Sequence, residues 1–247
     1  MAKKSFISLV DSGTSSGAKT LIEHTYAQLR EDILTGKLVP GEKLQVERLK
    51  DRYEVGAGTL REALSRLISE AMVVAEGQRG FTVSPMTIEE FIDITQLRVS
   101  IETQALRNSI RRGDQAWRSR LQSAYEALSR LEQPLLGANF KLWEQANVEF
   151  HEALLSACGS PWTLRVLGQL SQHAERYRRF AVGLQTDRNV HAEHTQIFES
   201  ALRAQDARAA LALEAHIRAT PEALLEAIKA GVNVFDFGQR ASEAPGA

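Results

Sequence analysis

The order of apolar patterns along residues 20–83 constrains the fold more than any other feature of the sequence. Three segments with apolar residues at helical spacing predict helices, and they cover about 20–36, 45–53 and 59–70. Two short β-type runs, Met72–Ala75 and Phe81–Val83, then flank a loop with two glycines and predict a hairpin. Helix, helix, turn, helix and hairpin is the order of a winged helix-turn-helix, in which the third helix enters the DNA major groove.

Thr20 is the predicted start of the first helix, because Glu23 follows it at the spacing of a capping box. Residues 1–18 come before it and include a run of serine, threonine and glycine. We predict that these residues form a disordered lead-in, since this composition offers little to bury.

Every segment after Ser84–Met86 shows apolar residues at helical spacing. The six predicted helices cover about 87–112, 114–132, 138–157, 161–183, 188–204 and 206–230. Asp114, Ser160 and Asp206 are suitable N-cap residues at three of the boundaries. Pro221 falls inside the last segment, where it should kink the helix or separate its end.

These patterns predict a mostly α fold, with an N-terminal winged helix-turn-helix and a C-terminal all-α helical bundle. The linker between them is predicted at Ser84–Met86. The expected bounds are 1–18 for the lead-in, 19–84 for the winged domain, 85–232 for the helical domain and 233–247 for a C-terminal tail.

Composition places the chain among ordinary globular proteins, with 43% hydrophobic and 25% charged residues. Its single cysteine, Cys158, cannot supply a disulfide framework, and no apolar run approaches the ~20 residues of a membrane helix. We therefore expect a cytoplasmic protein without a membrane partner. The net charge of −1 gives no sign of nucleic-acid binding, so any DNA contact requires basic residues gathered on one face.

Basic and hydroxyl side chains around the second and third predicted helices are candidates for DNA contact. Arg61 is the best candidate for a base contact, because an arginine fork reads the O6 and N7 of guanine together. Thr59 and Arg48 can reach phosphates, as can Lys50 and Arg52. At the wing tip a basic side chain can reach the minor groove. The predicted DNA-binding residues are Arg48, Thr59, Arg61, Arg66, Arg79 and Gly80.

The alternative is that these arginines only solvate an exposed helix face. Against it, three segments resemble the DNA-binding domain of the GntR family in order and spacing: Ile33–Leu44, Leu60–Leu67 and Gln78–Val83. The resemblance implies a transcription regulator that binds double-stranded operator DNA. Many members have an arginine for DNA contact where this chain has Ala57, which implies a missing contact and a different operator preference.

Three histidines, His151, His194 and His216, lie in the middle of three different predicted helices. In a helical bundle, imidazoles from three helices can converge on a divalent metal ion and leave coordination positions open for a ligand. The alternative is that each is an ordinary core or surface histidine. That interpretation is adopted for His24, His173 and His191.

Residues 87–230 resemble the FCD ligand-binding domain, which accompanies the GntR domain in the FadR-type branch, and six helices match the shorter VanR-like form. Many FCD domains bind Zn²⁺ or a similar ion through an aspartate and three histidines. The resemblance assigns these positions to Asn147, His151, His194 and His216. Asn147 departs from the pattern, because a neutral amide oxygen is a weaker ligand than a carboxylate.

Arg98, on the first predicted helix of the bundle, has two candidate roles. A buried guanidinium needs an anionic partner and fits a carboxylate with two hydrogen bonds. The FCD resemblance implies that this arginine points into a cavity toward an organic-acid effector. The local alternative is an ion pair with Glu102, one turn further along the helix.

The predicted function is that of a homodimeric repressor that a small carboxylate effector releases from operator DNA. The segment Lys50–Glu62 resembles a branch that includes dicarboxylate sensors, which implies a dicarboxylate effector. Repression is the usual mode of the family, and an activator would have the same sequence features. A metal-dependent hydrolase built on the three histidines is the alternative function. Because no His-Glu-x-x-His helix is present, we predict that the chain is not an enzyme.

Overall fold

The computed structural model describes the chain in five ranges. They are residues 13–77, 80–132, 140–182, 184 and 188–232. Within them, the side chains of residues 13–19, 180 and 182 are left out of the description.

The described residues fall into two compact units, one up to Pro85 and one from Met86. Each unit is considered by itself. The predicted DNA-binding residue Arg79, residues 1–12 of the predicted lead-in and the predicted tail 233–247 lie outside the described residues.

Helices and short strands make up the N-terminal unit. In chain order they are α1 (Gly13–Leu34), β1 (Lys43–Leu44), α2 (Val46–Tyr53), α3 (Ala57–Ser69), β2 (Val73–Ala75) and β3 (Phe81–Val83). The core forms where α1 packs against α3, and Leu29 of α1 is completely buried there with Leu60, Leu64 and Leu67 of α3. The apolar period in the sequence of α3 therefore marks its buried face.

The predicted hairpin is confirmed as the antiparallel pair β2 and β3, in which Val73 lies opposite Val83 and Ala75 opposite Phe81. A third strand was not predicted. β1 pairs with the other edge of β3, so that the sheet order is β1-β3-β2. Two residues show no alternation of apolar and polar positions, which is why this strand leaves no pattern in the sequence.

Two helices begin earlier than predicted. Helix α1 begins at Gly13 rather than Thr20, so the predicted lead-in is helical from residue 13 onward. A helix extends readily once its nucleus has formed, and no proline interrupts this stretch. Helix α3 begins at Ala57 rather than Thr59, after an extended N-cap at Gly56. Gly58 is tolerated there because the N–H groups of the first turn have no partner within the helix.

The C-terminal unit consists of six helices within the described ranges, and all six were predicted. They are α4 (Ile88–Arg112), α5 (Gln115–Glu132), α6 (Phe140–Leu155), α7 (Pro161–Val182), α8 (Val190–Leu202) and α9 (Asp206–Lys229). Helix α4 packs most extensively against α9, and α5 and α6 pack against each other. None of the described helices is long and apolar enough to cross a membrane.

Two of the three predicted N-caps are present. Asp114 Oδ1 accepts a hydrogen bond of 2.8 Å from the backbone N–H of Trp117. Ser160 Oγ accepts one of 3.2 Å from that of Thr163. The prediction for Asp206 is wrong, because Gln205 is the N-cap residue and the Asp206 carboxylate instead lies 2.6 Å from Arg111 Nη2.

Helix α9 is not divided at Pro221, so the expected separation of its end does not occur. A proline inside a helix removes one backbone hydrogen bond. Pro221, Thr220 and Leu224 are all buried, and α9 packs against both α4 and α8. This packing offsets the missing bond.

Candidate functional site

Three histidines from three helices converge inside the C-terminal unit. His151 of α6, His194 of α8 and His216 of α9 each offer a ring nitrogen, and these nitrogens lie within 4.8 Å of one another. His194 is completely buried, while the His151 and His216 side chains are 12% and 11% exposed. When each imidazole nitrogen lies about 2.1 Å from a metal ion, two ligands on opposite sides of the ion are about 4.2 Å apart. The spread of 4.8 Å between the histidine nitrogens is close to that distance.

Carboxylates orient two of the three rings. Glu132 Oε1 lies 2.7 Å from His194 Nδ1, and Glu193 Oε2 lies 2.7 Å from His216 Nδ1. A carboxylate on one ring nitrogen is the usual outer partner of a metal-bound histidine. Because Nδ1 is occupied in both rings, Nε2 is the nitrogen that remains for a ligand.

The third ring has a looser carboxylate neighbour. Glu102 Oε2 lies 3.7 Å from His151 Nδ1, which is too long for a hydrogen bond. Among the described residues, His151 Nδ1 and His194 Nε2 are buried without a hydrogen-bond partner. Buried polar nitrogens without partners are costly, so the donor set fits a bound cation.

Burial keeps two of these imidazoles neutral. It lowers the pKa of His151 to about 4, against the opposing effect of Glu102. Burial also lowers the pKa of His216 well below its ordinary value, and the neighbouring histidines act in the same direction. Neutral imidazole is the form that binds metal ions, so both rings are in the ligand state at neutral pH.

Asn147 lies one turn before His151 on α6 and is 4% exposed. It belongs to the same side of the helix as His151. Asn147 and His216 also line a cavity of about 230 Å³. The other lining residues are Trp143, Arg178, Ala181, Leu184, Arg188, Val190, Thr220 and Ala223. The cavity therefore reaches the histidine cluster at His216.

Arg98 is buried on α4, and its Nε donates a hydrogen bond of 2.7 Å to Glu102 Oε1. The local ion pair considered from the sequence is therefore present. Although burial opposes it, the charge of Arg98 together with His151 holds the pKa of Glu102 at about 2. Arg98 is not among the described residues that line the cavity, but its charge also contributes to the lowered pKa of His151 and His216.

Four charged residues of this site were missed by the sequence analysis. Glu132, Glu193, Arg178 and Arg188 hydrogen-bond to the clustered histidines or line the cavity. Glu193 is 23 residues from its partner His216, a separation at which the sequence shows no local pattern. Glu132 is 62 residues from its partner His194, so no local pattern could have identified it.

His191, interpreted as an ordinary histidine, belongs to the same network. Its Nδ1 lies 3.1 Å from Glu132 Oε2, while Trp143 Nε1 donates a bond of 3.2 Å to Glu132 Oε1. Glu132 thus has three hydrogen-bond partners, and it is held in place from α6 and α8.

The predicted DNA-binding side chains differ in how far they are exposed to solvent. Arg48 of α2 and Arg61 of α3 are exposed. The Arg66 side chain is 39% exposed, and its Nη2 lies 3.9 Å from Glu62. Thr59, in the first turn of α3, is half-buried. Gly80, the described residue of the wing tip, has a φ of 97°, which glycine adopts readily.

Two further candidates on α2 are engaged within the unit. Lys50 Nζ lies 2.8 Å from Glu47, and Arg52 Nη2 lies 3.0 Å from Asp32. Both pairs are at the surface, where such ion pairs contribute little to stability. A phosphate can therefore compete with these carboxylates at small cost.

Comparison with known proteins finds a match for each of the two units. Residues 21–83 match the model of the bacterial regulatory proteins of the gntR family, and residues 93–219 match that of the FCD domain. The chain is 43% identical over 209 residues to the HTH-type transcriptional regulator BphR of Paraburkholderia xenovorans, covering 83% of this chain and 85% of BphR. It is 31% identical to the HTH-type transcriptional repressor GlaR of Escherichia coli, covering 83% and 96% of the two chains.

Solved structures share the fold at lower identity. Escherichia coli McbR/YncC superposes with a TM-score of 0.66 at 17% identity, covering 84% of this chain and 98% of the other. A GntR transcriptional regulator from Rhodococcus sp. RHA1 superposes with a TM-score of 0.67 at 20% identity, covering 84% and 99%. The predicted fold class, mostly α with a winged helix-turn-helix and a helical C-terminal domain, is confirmed.

Proposed function

Because the chain belongs to the gntR family of bacterial regulatory proteins and carries an FCD domain, we propose that this transcriptional regulator is a repressor released from its operator by a small organic acid. The repressor assignment is supported by GlaR, whose name describes a repressor. The chain is not an enzyme, since its relatives are transcriptional regulators, and the hydrolase alternative finds no support among them.

The observation that carries the proposal is the meeting of His151, His194 and His216 in one cluster, of which His216 also lines a cavity. We propose that these histidines hold a divalent metal ion, with zinc as the first candidate and Asn147 as the fourth ligand. Bound zinc would supply positive charge and open coordination positions for a carboxylate. The amide of Asn147 would weaken metal binding relative to an aspartate.

We propose that Arg98 also binds the effector, in addition to its ion pair with Glu102. Its Nε is used by Glu102, but its Nη1 and Nη2 have no hydrogen-bond acceptor among the described residues. A carboxylate can therefore approach the outer edge of the same guanidinium. We propose that the effector carboxylate lies between Arg98 and the metal ion.

The DNA-binding part of the proposal assigns base contact to Arg61 and phosphate contact to Arg48, Thr59 and Arg66, with Gly80 and Arg79 at the wing. A homodimer would present two recognition helices to two half-sites of one operator. The effector changes DNA binding only if its affinity differs between the DNA-bound and released arrangements of that dimer.

Gel-shift titration on the DNA upstream of the chain's own gene tests this function. We expect sequence-selective binding that a panel of small carboxylates weakens when Zn²⁺ is present. His194→Ala should remove the carboxylate response, whereas His24→Ala, an exposed histidine of α1, should leave it intact. Absence of selective binding under every condition would contradict the regulator proposal, and binding that no carboxylate weakens would contradict the effector assignment.

A further inference from the structure

A small apolar cluster, separate from the main core of the C-terminal unit, surrounds Tyr177 of α7. Tyr177 is 1% exposed, and its ring stacks on Phe91 of α4 with ring centroids 4.3 Å apart. Its hydroxyl donates a hydrogen bond to Glu90 Oε2. The buried members of this group, called the Tyr177 cluster below, are Met86, Phe91, Ile94, Ala174, Tyr177 and Leu224.

The Tyr177 cluster shares residues with the cavity that reaches His216. Ala181 and Leu184 pack against the cluster, and both also line the cavity. Ala181 lies one turn after Tyr177 on α7. Because protein interiors are close-packed, a molecule that enters the cavity and displaces these two side chains also disturbs the cluster behind them.

The same cluster holds the start of α4. Thr87 is the N-cap of this helix, and its side chain accepts a hydrogen bond of 3.1 Å from the backbone N–H of Glu90. The Glu90 carboxylate in turn accepts the bond from Tyr177. Met86, directly before the N-cap, is 9% exposed and belongs to the cluster. The first turn of α4 is therefore tied to α7.

Only Pro85 lies between this cluster and a residue that is fixed in the N-terminal unit. The backbone N–H of Ser84 donates to the backbone oxygen of Met72 at 3.0 Å, and its hydroxyl donates to that of Ala71 at 2.6 Å. Pro85 itself is exposed, and its ring restricts the backbone angle φ. Since no flexible linker follows Ser84, a shift of Met86 passes along the backbone to the N-terminal unit.

We infer that Tyr177 couples occupancy of the cavity to the start of α4, and that its hydrogen bond to Glu90 carries this coupling. The inference rests on the proposed function, in which an effector binds in the cavity. A bound molecule displaces Ala181 and Leu184, Tyr177 moves with α7, and the first turn of α4 follows. Tyr177 is not among the described residues that line the cavity, so its role is that of a positioning residue.

The hydroxyl of Tyr177 can be removed without removing the ring. Burial raises the pKa of Tyr177, and the bond to Glu90 acts in the same direction, so the hydroxyl keeps its proton at neutral pH. A hydrogen bond from this hydroxyl to a carboxylate is of the strong, charge-assisted kind. Tyr177→Phe keeps the stack on Phe91 and the buried apolar area. Glu90 is exposed, so water solvates its carboxylate once the bond is lost.

Amide hydrogen exchange and gel shifts on the full-length, zinc-loaded protein test the inference. The probes are acetate, butyrate, succinate and citrate. In the wild type, a carboxylate that binds should change amide exchange at residues 88–91 and weaken operator binding about fivefold to a hundredfold. In Tyr177→Phe both responses should be largely lost. Its zinc stoichiometry, its carboxylate affinity and its operator affinity without carboxylate should stay within about threefold of the wild type, which a merely structural role would not predict.

Tyr125→Phe is the matched control. The Tyr125 hydroxyl forms a hydrogen bond of 2.8 Å with Thr195 Oγ1, and its ring stacks on Phe198 with centroids 4.0 Å apart, but it packs against the main core. This variant should respond to carboxylates like the wild type. Glu90→Ala removes the same bond as Tyr177→Phe from an exposed position and should reproduce its loss of response, so it decides the matter if Tyr177→Phe does not fold.

Four results overturn the inference. A full carboxylate response in the folded Tyr177→Phe or Glu90→Ala variant would do so, as would an equal loss of response in Tyr125→Phe. Unchanged exchange at residues 88–91 in a wild type that a carboxylate releases from DNA would also do so. These three results leave the carboxylate-responsive repressor standing. If no carboxylate of the panel binds the zinc-loaded protein, the inference and the effector assignment fail together.

Discussion

Glu132 Oε1 lies 2.7 Å from His194 Nδ1, in a part of the core where the two side chains are 2% and 0% exposed. The carboxylate comes from the last residue of α5 and the imidazole from α8. It fixes the ring so that Nε2 faces the histidine cluster. We therefore regard Glu132 as a positioning residue for the proposed metal ion.

Glu132→Gln should weaken zinc binding by about tenfold to a hundredfold, the usual cost of losing an outer partner of a ligand histidine. The amide keeps the shape of the side chain and can still accept from Trp143, but it lacks the negative charge that orients and polarises His194. Competition with a chromophoric chelator measures the affinity. Glu126→Gln, an exposed position on the same helix, should bind zinc like the wild type. Equal zinc affinity in both variants would remove Glu132 from the metal site.

The stability of the zinc-free C-terminal unit should fall as the pH is lowered from 6.5 to 4. The buried imidazole of His151 has a pKa of about 4 against 6.5 in the unfolded chain. Between these values the unfolded state binds more protons than the folded state, so protons favour unfolding. This difference in the pKa of His151 corresponds to roughly 3 kcal/mol of unfolding free energy. The lowered pKa of His216 adds to the loss in the same direction.

Tryptophan fluorescence follows this transition selectively, because all three tryptophans, Trp117, Trp143 and Trp162, belong to the C-terminal unit. Urea titrations at a series of pH values in the presence of a chelator give the free energy of unfolding. His151→Gln should flatten the decline in this window. A wild-type unfolding free energy that stays constant between pH 6.5 and 4 would show that His151 is not buried in its neutral form.

Gly113→Ala should destabilise the C-terminal unit by about 1–3 kcal/mol. A Cβ at this position would lie 2.2 Å from Trp117 Cε3 and 2.7 Å from the backbone oxygen of Ser109. Trp117 cannot move freely, since it is buried and its Nε1 donates a bond of 3.0 Å to the backbone oxygen of Ala153.

Gly168→Ala is the matched comparison. Gly168 lies inside α7, and an added Cβ would meet no atom within 4 Å. Alanine has the higher helix propensity, so this change should stabilise the unit by about 0.5–1 kcal/mol. Opposite signs in the two urea titrations are the expected outcome, and the same sign in both would contradict the packing described around Gly113.

Arg61→Ala should cost about 1–3 kcal/mol of operator binding and relax the preference at one base pair. Arg48→Ala should instead weaken binding to all sequences alike and reduce the salt dependence by about one counterion. Gel shifts with an operator and a set of single-base variants, at several salt concentrations, separate the two effects. Arg203→Ala, exposed in the C-terminal unit, is the control. Unchanged base preference in Arg61→Ala would remove Arg61 from base readout.

Local patterns in the sequence were sufficient for most of the secondary structure. The buried face of α3, the six helices of the C-terminal unit and the β2–β3 hairpin follow from periodicity and turn residues, which act over a few positions. The Arg98–Glu102 pair could also be predicted from the sequence, because one helical turn separates its members. Strand β1 could not be predicted, since two residues show no periodic pattern and their partner strand lies far along the chain.

The candidate site depended on tertiary structure. Family resemblance assigned His151, His194 and His216 to one site, but it gave no sign of the carboxylates that orient them. Glu132 is 62 residues from His194, and Arg178 is 34 residues from Glu144. Such pairs form only when separate helices pack, and the sequence does not encode them as a spacing. The sequence therefore determined which helices form and which residue types they carry, whereas helix packing decided which of those residues meet.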